Sequence, residues 1–157
     1  MDYNIRKATI GDLPEIIKLC AEHAEFEKAA YTSEGKAEKL TAFLFADNPR
    51  LFCLLVESEQ KILGYITYMK EFSTWDADFY IHMDCLYLRP EARNFGIGEQ
   101  LIKEMAKQSL LLGCRQVQWQ TPTFNEKAMK FYERIGATAK PKTRFFLDER
   151  TLQKLSK

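Results

Sequence analysis

A chain of 157 residues holds one domain with a continuous core, read here as spanning residues 1–157, and leaves no room for a second full domain. Hydrophobic residues at 46%, charged residues at 29% and 11 Phe with 7 Tyr match ordinary globular usage, which excludes wholesale disorder; only the Lys-rich tail is expected to lack order. With 23 basic against 22 acidic side chains the net charge is +1, so no overall field gathers nucleic acid or an acidic membrane surface.

The opening Met1-Asp2-Tyr3-Asn4-Ile5-Arg6 shows no basic stretch followed by an apolar core, and no apolar run approaches the roughly 20 residues of a membrane span. Cys20, Cys53, Cys85 and Cys114 stand apart in apolar stretches without a Cys-x-x-Cys pair or a well-spaced His. They read as reduced, mostly buried thiols of a cytoplasmic protein, with neither a disulfide framework nor a metal.

Residues 3–7 alternate weakly and form an opening strand. Asp12 fits a helix N-cap with Pro14 just inside, and Leu13, Ile16, Ile17, Cys20 and Ala24 recur at helical spacing, so a helix is predicted to about Phe26. A second covers 34–45 and stops at Asn48-Pro49. Strands at 51–57 and 62–69 flank a polar connection, Ser58-Glu59-Gln60-Lys61, suited to a hairpin. The strand at 79–88 is mostly apolar or aromatic, the pattern of a central strand covered on both faces. A helix carrying Leu101, Met105, Ser109 and Leu112 closes at Gly113; a strand at 115–120, a helix at 125–135 stopped by Gly136 and a last strand at 143–147 complete the chain. The order describes an α/β or α+β sheet with helices on both faces.

Arg93-Asn94-Phe95-Gly96-Ile97-Gly98 lies between the predicted central strand and the long helix. Glycines there let backbone N–H groups crowd together, and free N–H groups at a helix start suit a pyrophosphate, with Arg93 adding a fixed charge. A Rossmann turn needs a third glycine and a P-loop needs Gly-Lys-Ser/Thr, so both readings lose ground. A bare Gly-x-Gly is equally compatible with an ordinary tight turn, and the surrounding residues decide.

Arg93, Gly96 and Gly98 fit the Arg/Gln-x-x-Gly-x-Gly/Ala signature, and the segment resembles the acetyl-CoA-binding motif of the GNAT superfamily. The stretches 83–98 and 124–137 are similar to its spermidine/spermine and thialysine acetyltransferase branch, with a looser match at Ala24-Glu25-Phe26-Glu27-Lys28. The resemblance implies a GNAT fold: one mixed, mostly antiparallel sheet whose central strands splay to admit the pantetheine arm of acetyl-CoA. Leu86, Tyr87 and Leu88 then offer main-chain groups to pantetheine and thioester; Asn94, Phe95, Gly96, Ile97, Gly98 and Glu99 wrap the pyrophosphate; Asn125 and Ala128 touch the cosubstrate from the next helix.

Amide formation needs a neutral amine, and a primary amine of pKa near 10.4 is less than about a thousandth deprotonated at neutral pH. Asp84, in the apolar strand and in the place of the branch's catalytic acid, is the expected base. The branch often carries Glu there, so the shorter Asp favours transfer through a water. A buried carboxylate paired with Arg or Tyr is the structural alternative. His82, two residues away, is a second candidate base and substrate contact, although a strand His is more often simply packed. Tyr132, in the Phe131-Tyr132 pair, is implied as the acid that protonates the leaving thiolate; core packing is its alternative, as helix capping is for Asn125. The Leu86 N–H is the expected donor to the developing oxyanion.

Glu27, Trp75 and Asp76, with Asp78, are candidates to attract a cationic acceptor, and solvated surface charge explains the acids equally well. The resemblance implies small acceptors: polyamines, diamines or thialysine-like amino acids. Peptide or protein amines, or a catalytically silent CoA sensor, are the rival readings. It also implies a homodimer with exchanged C-terminal strands.

Overall fold

The computed structural model describes all 157 residues, in two compact units, Met1–Pro122 and Thr123–Lys157.

In the first unit, β1 (Asn4–Lys7), β2 (Phe52–Ser58), β3 (Lys61–Ser73), β4 (Asp78–Leu88) and β5 (Val117–Gln118) form one sheet in chain order. Neighbours are antiparallel except β4 and β5, which are parallel. Helices α1 (Leu13–Phe26) and α2 (Lys36–Leu44) cover one face, where Ile16, Leu19 and Leu44 pack with Cys53, Leu55, Tyr65 and Tyr87. Strand alternation turns Leu54, Val56 and Ile66 to the opposite face, where α3 (Ile97–Leu111) packs across β2, β3 and β4. Ile97, Leu101 and Met105, spaced at i, i+4 and i+8, are its buried stripe.

Asp12 starts α1 without capping it. Its carboxylate accepts from the Thr9 N–H at 2.7 Å, from the Thr9 hydroxyl at 2.8 Å, and from Arg6 at 2.7 and 2.8 Å, closing the short turn Ile10–Asp12 instead. The hairpin between β2 and β3 turns on Glu59 and Gln60, both left-handed, the geometry of a type I′ connection.

The second unit holds α4 (Glu126–Arg134) and α5 (Glu149–Leu155). Gly136, at φ 94°, ends α4: the N–H groups of Gly136 and Ala137 donate to Glu133 and Tyr132 carbonyls, both at 3.0 Å.

Three expectations change. Residues 143–147 form no strand: nothing within the single chain pairs with them, and Phe145 and Phe146 stand exposed. The Lys-rich tail is ordered as α5, capped by the Asp148 carboxylate accepting from the Thr151 N–H at 2.9 Å. The strand expected over 115–120 shrinks to Val117–Gln118, because the chain leaves β4 after two aligned pairs.

Candidate active site

β4 pairs with β3 over its whole length, from Ser73 opposite Asp78 to Gly64 opposite Leu88. On its other edge it meets β5 only at Ile81 and His82, so from Met83 to Leu88 that edge carries no strand. The Arg89 N–H donates to the Leu63 carbonyl and the Tyr87 carbonyl lies against Gly64, so Tyr87 and Arg89 turn their main-chain groups to β3 and alternation turns those of Leu86 and Leu88 to the unpaired edge, the arrangement an extended ligand completes by adding itself to a sheet.

Asp84 sits at an irregularity in the β3–β4 ladder. Thr67 aligns with Cys85 and Tyr68 with Met83, which leaves Asp84 as an extra residue on β4. The bulge resets alternation along the strand. Ile81 and Met83 are buried on the α3 face, whereas Tyr87 is buried on the α1 face. The expectation of a strand covered on both faces is corrected at this point: Asp84 is exposed. It is paired with neither Arg nor Tyr in a hydrogen bond; the Cys85 thiol approaches its Oδ2 at 3.7 Å.

The α1 side of Asp84 is polar. His23 Nδ1 lies 3.1 Å from the Tyr65 hydroxyl and its Nε2 3.3 Å from Glu27 Oε1, while its ring stacks on Tyr87 at 5.2 Å. Burial lowers the His23 pKa, with Glu27 and Asp84 pulling the other way. Burial also raises Tyr65 far above the usual phenol range and pushes the Cys85 thiol up to about 12. Thr67 Oγ1, buried opposite the bulge, has no hydrogen-bond partner.

Past Leu88, Arg89 is buried and ties the strand end to α1. It donates to Glu15 at 2.6 Å, to Glu22 at 2.9 and 2.8 Å, and to the Ile62 carbonyl at 2.7 Å. Arg93 donates through Nε to the Leu88 carbonyl at 2.9 Å and lies over the Phe26 ring at 4.6 Å. That carbonyl is thereby occupied. Asn94 (φ 67°) and Gly96 (φ 76°) take left-handed conformations, and Gly96 is the N-cap of α3 with no side-chain cap. A Cβ built on Gly96 would meet nothing within 4 Å, so the turn is open to solvent. The first N–H groups of a helix have no acceptor within it. An open left-handed turn with such donors, beside an unpaired strand edge, fits the diphosphate and pantetheine of a CoA thioester.

In the second unit, the Asn125 side chain accepts from the Ala128 N–H at 3.2 Å, so Asn125 caps α4. Tyr132, on α4, packs against Phe131 with ring centroids 5.2 Å apart.

The structure gathers Asp84, Leu86, Tyr87, Leu88 and the 93–99 turn along one end of β4. Trp75, 95% exposed, and Asp76 occupy the turn between β3 and β4, at the other end of the strand from Asp84, where the Ser73 hydroxyl bonds Asp76 at 2.8 Å. His82 aligns with Met69 and Gln118, and the bulge cancels its period-two relation to Asp84. Glu27 meets His23. Sequence reasoning passed over His23, Tyr65 and Cys85. The one legible signal was the i, i+4 spacing of His23 and Glu27 on a helix.

The profile of the Acetyltransferase (GNAT) family matches residues 16–137. The chain belongs to this family. Like other GNAT proteins it is an acetyltransferase, and the family uses acetyl-CoA. The GNAT chain is 34% identical over 141 residues to the thialysine N-epsilon-acetyltransferase of Bos taurus, covering 85% of this chain and 82% of that protein. It is 28% identical to the human spermidine/spermine N(1)-acetyltransferase-like protein 1, over 87% of this chain and 21% of that longer protein. Among solved structures, an integron cassette protein from the mobile metagenome of V. cholerae superposes with a TM-score of 0.80 at 25% identity, over 100% of this chain and 99% of that one. The aminoglycoside N-acetyltransferase AAC(6')-Iy in complex with CoA shares the fold, with a TM-score of 0.79 at 16% identity, over 94% and 95%.

Proposed function

We propose that this GNAT enzyme transfers the acetyl group of acetyl-CoA to a primary amine of a small cationic acceptor: a thialysine-like amino acid, a diamine or a polyamine. The observation that carries the reading is the unpaired edge of β4 beyond His82, with the exposed Asp84 carboxylate beside it and the open Gly96 turn at its end. The names of the bovine and human relatives favour that acceptor class.

In this reading the main chain of Leu86 and the Leu88 N–H align the pantetheine, Tyr87 holding the strand to β3 behind them, with the Leu86 N–H polarising the thioester oxygen. Arg93, Asn94, Phe95, Gly96, Ile97, Gly98 and Glu99 receive the diphosphate, and Asn125 and Ala128 complete the cosubstrate contacts. Asp84 accepts the ammonium proton, the freed amine attacks the thioester carbonyl, and Tyr132 returns a proton to the departing thiolate. Glu27 and His82 are further acceptor contacts in this scheme, whereas Trp75 and Asp76, at the far end of β4 from Asp84, lie beyond the reach of a small acceptor held there. We read both units as one catalytic domain, acting as a homodimer in the cytoplasm. Four free thiols suit a reducing compartment, and the exposed run of Phe145, Phe146 and Leu147 suits a subunit contact.

The test is thiol release from acetyl-CoA across diamines, polyamines, amino acids and lysine peptides. Turnover of small amines above peptides is expected, with Asp84→Asn and Tyr132→Phe binding acetyl-CoA yet losing turnover. Preference for peptides, or full activity in both variants, removes the reading.

A further inference from the structure

The last turn of α1 is pinned to the end of β4 at three places. Glu22 takes the forked pair from Arg89 at 2.9 and 2.8 Å, the Arg93 guanidinium lies over the Phe26 ring at 4.6 Å, and between them the His23 ring stacks on Tyr87 with centroids 5.2 Å apart. His23 also has a polar neighbour at each ring nitrogen. Nδ1 lies 3.1 Å from the hydroxyl of the fully buried Tyr65, and Nε2 lies 3.3 Å from Oε1 of Glu27, one helical turn on. Burial, the largest influence on His23, lowers its pKa, so the ring is neutral at neutral pH and carries one hydrogen. Placed on Nδ1, that hydrogen would turn the Nε2 lone pair onto a carboxylate that only accepts. Placed on Nε2, it points at Glu27 and leaves Nδ1 to accept from the Tyr65 O–H.

We propose that His23 is a positioning residue for the acceptor: it holds the Glu27 carboxylate above the Tyr65 and Tyr87 rings, where Glu27 anchors a second positive charge of an amine whose first end meets Asp84. The role rests on the acetyl transfer proposed above and narrows its acceptors to elongated dications, diamines and polyamines.

Exposure divides the labour. The Glu27 side chain is 34% exposed and that of His23 13%, so an incoming ammonium meets the carboxylate while the imidazole stays behind it. Glu27 is the C-cap of α1, a place where a glutamate otherwise turns freely, and ordering it on binding would weaken the contact. His23, itself fixed by Tyr65 and Tyr87, orders it beforehand. Tyr87, beneath His23, stands three residues along β4 from the exposed Asp84, roughly 10 Å by strand rise. At such a remove one ammonium does not serve both carboxylates, whereas a chain charged at both ends does.

The test compares kcat/KM for an α,ω-diamine with that for a monoamine of the same chain length, in the wild type, His23→Phe, Glu27→Gln and the double variant. His23→Phe keeps a ring on Tyr87 and removes both nitrogens. The diamine-to-monoamine ratio is expected to fall about fivefold in each single variant, the scale of a partly exposed ion pair, through KM rather than kcat and with acetyl-CoA affinity by calorimetry held. The double variant is expected to match Glu27→Gln alone, because His23 acts only through that carboxylate. A merely structural part for His23 would slow both amines alike and leave the ratio where it was. An unchanged ratio in either single variant, or a second independent loss in the double variant, overturns the positioning role. Should the stranded Tyr65 hydroxyl keep His23→Phe from folding, His23→Phe with Tyr65→Phe removes both halves of that contact and faces the same criterion. Absence of turnover with either amine in the wild type rejects acetyl transfer to small amines and the positioning role with it, whereas a ratio that falls in Glu27→Gln and not in His23→Phe rejects only the latter.

Discussion

Arg89 grips Glu22 at two points, Nε to Oε2 at 2.9 Å and Nη2 to Oε1 at 2.8 Å, so the end of β4 is fixed against α1 by a charged fork. Glu15 and the Ile62 carbonyl take the remaining donors, and the paired carboxylates raise the Arg89 pKa beyond its ordinary range. Arg89→Leu strands the Ile62 carbonyl and removes the fork. Urea unfolding should show a loss of about 3 kcal/mol, the scale for breaking a buried charge pair. A loss below about 1 kcal/mol would mean that desolvation of Arg89 cancels the attraction.

Two glycines near the strand end predict different failures. Gly96→Ala adds a methyl in open space at φ 76°, so only backbone strain of about 1–2 kcal/mol is expected. Acetyl-CoA binding should weaken more than stability does. Gly64→Ala places a Cβ 2.5 Å from Leu88 Cδ2 and 2.5 Å from the Tyr87 carbonyl, which forces β3 and β4 apart. Its melting temperature should fall further than that of Gly96→Ala, and the reverse ranking would contradict the close approach at Gly64.

Asp12 carries an acid-sensitive share of stability. The Arg6 guanidinium, ahead of the Thr9 N–H and hydroxyl, holds its carboxyl well below the usual carboxylate range in the folded chain. A depressed folded value means the contribution is complete above the unfolded pKa, near 3.9, and fades as pH falls below it. Unfolding free energy should therefore drop between about pH 4 and pH 2, and Asp12→Asn should flatten that limb. An unchanged acid limb in the variant would assign it to other carboxylates.

The β2–β3 turn is built from residues poorly suited to it. Glu59 at φ 50° and Gln60 at φ 62° occupy positions where Asn-Gly is favoured. Glu59→Asn with Gln60→Gly should raise stability by about 1–2 kcal/mol, visible as a melting temperature several degrees higher. No gain would show that flanking pairs already fix the turn.

Most of the first unit was legible because its signals are local. Leu101, Met105 and Ser109 name the buried face of α3, and Arg93-x-x-Gly96-x-Gly98 locates the turn before it. What escaped depends on alignment between strands. The extra residue at Asp84 follows from how Thr67 and Tyr68 pair, and no pattern within 79–88 announces it. His23 and Tyr65 lie 42 positions apart and meet only because α1 packs on β3. Residues 143–147 failed for the opposite reason: Arg144-Phe145-Phe146-Leu147 has strand chemistry, and pairing requires a partner that the single chain does not bring.

Asp84 has a duty in folding besides its chemistry. Because it is the supernumerary residue of β4, deleting it would slide Ile81 and Met83 toward the helix α1 side, or swing Tyr87 out of it, mixing two interiors that substitution leaves alone. Side-chain exchange at this position is therefore free to tune reactivity, while the length of the strand is not.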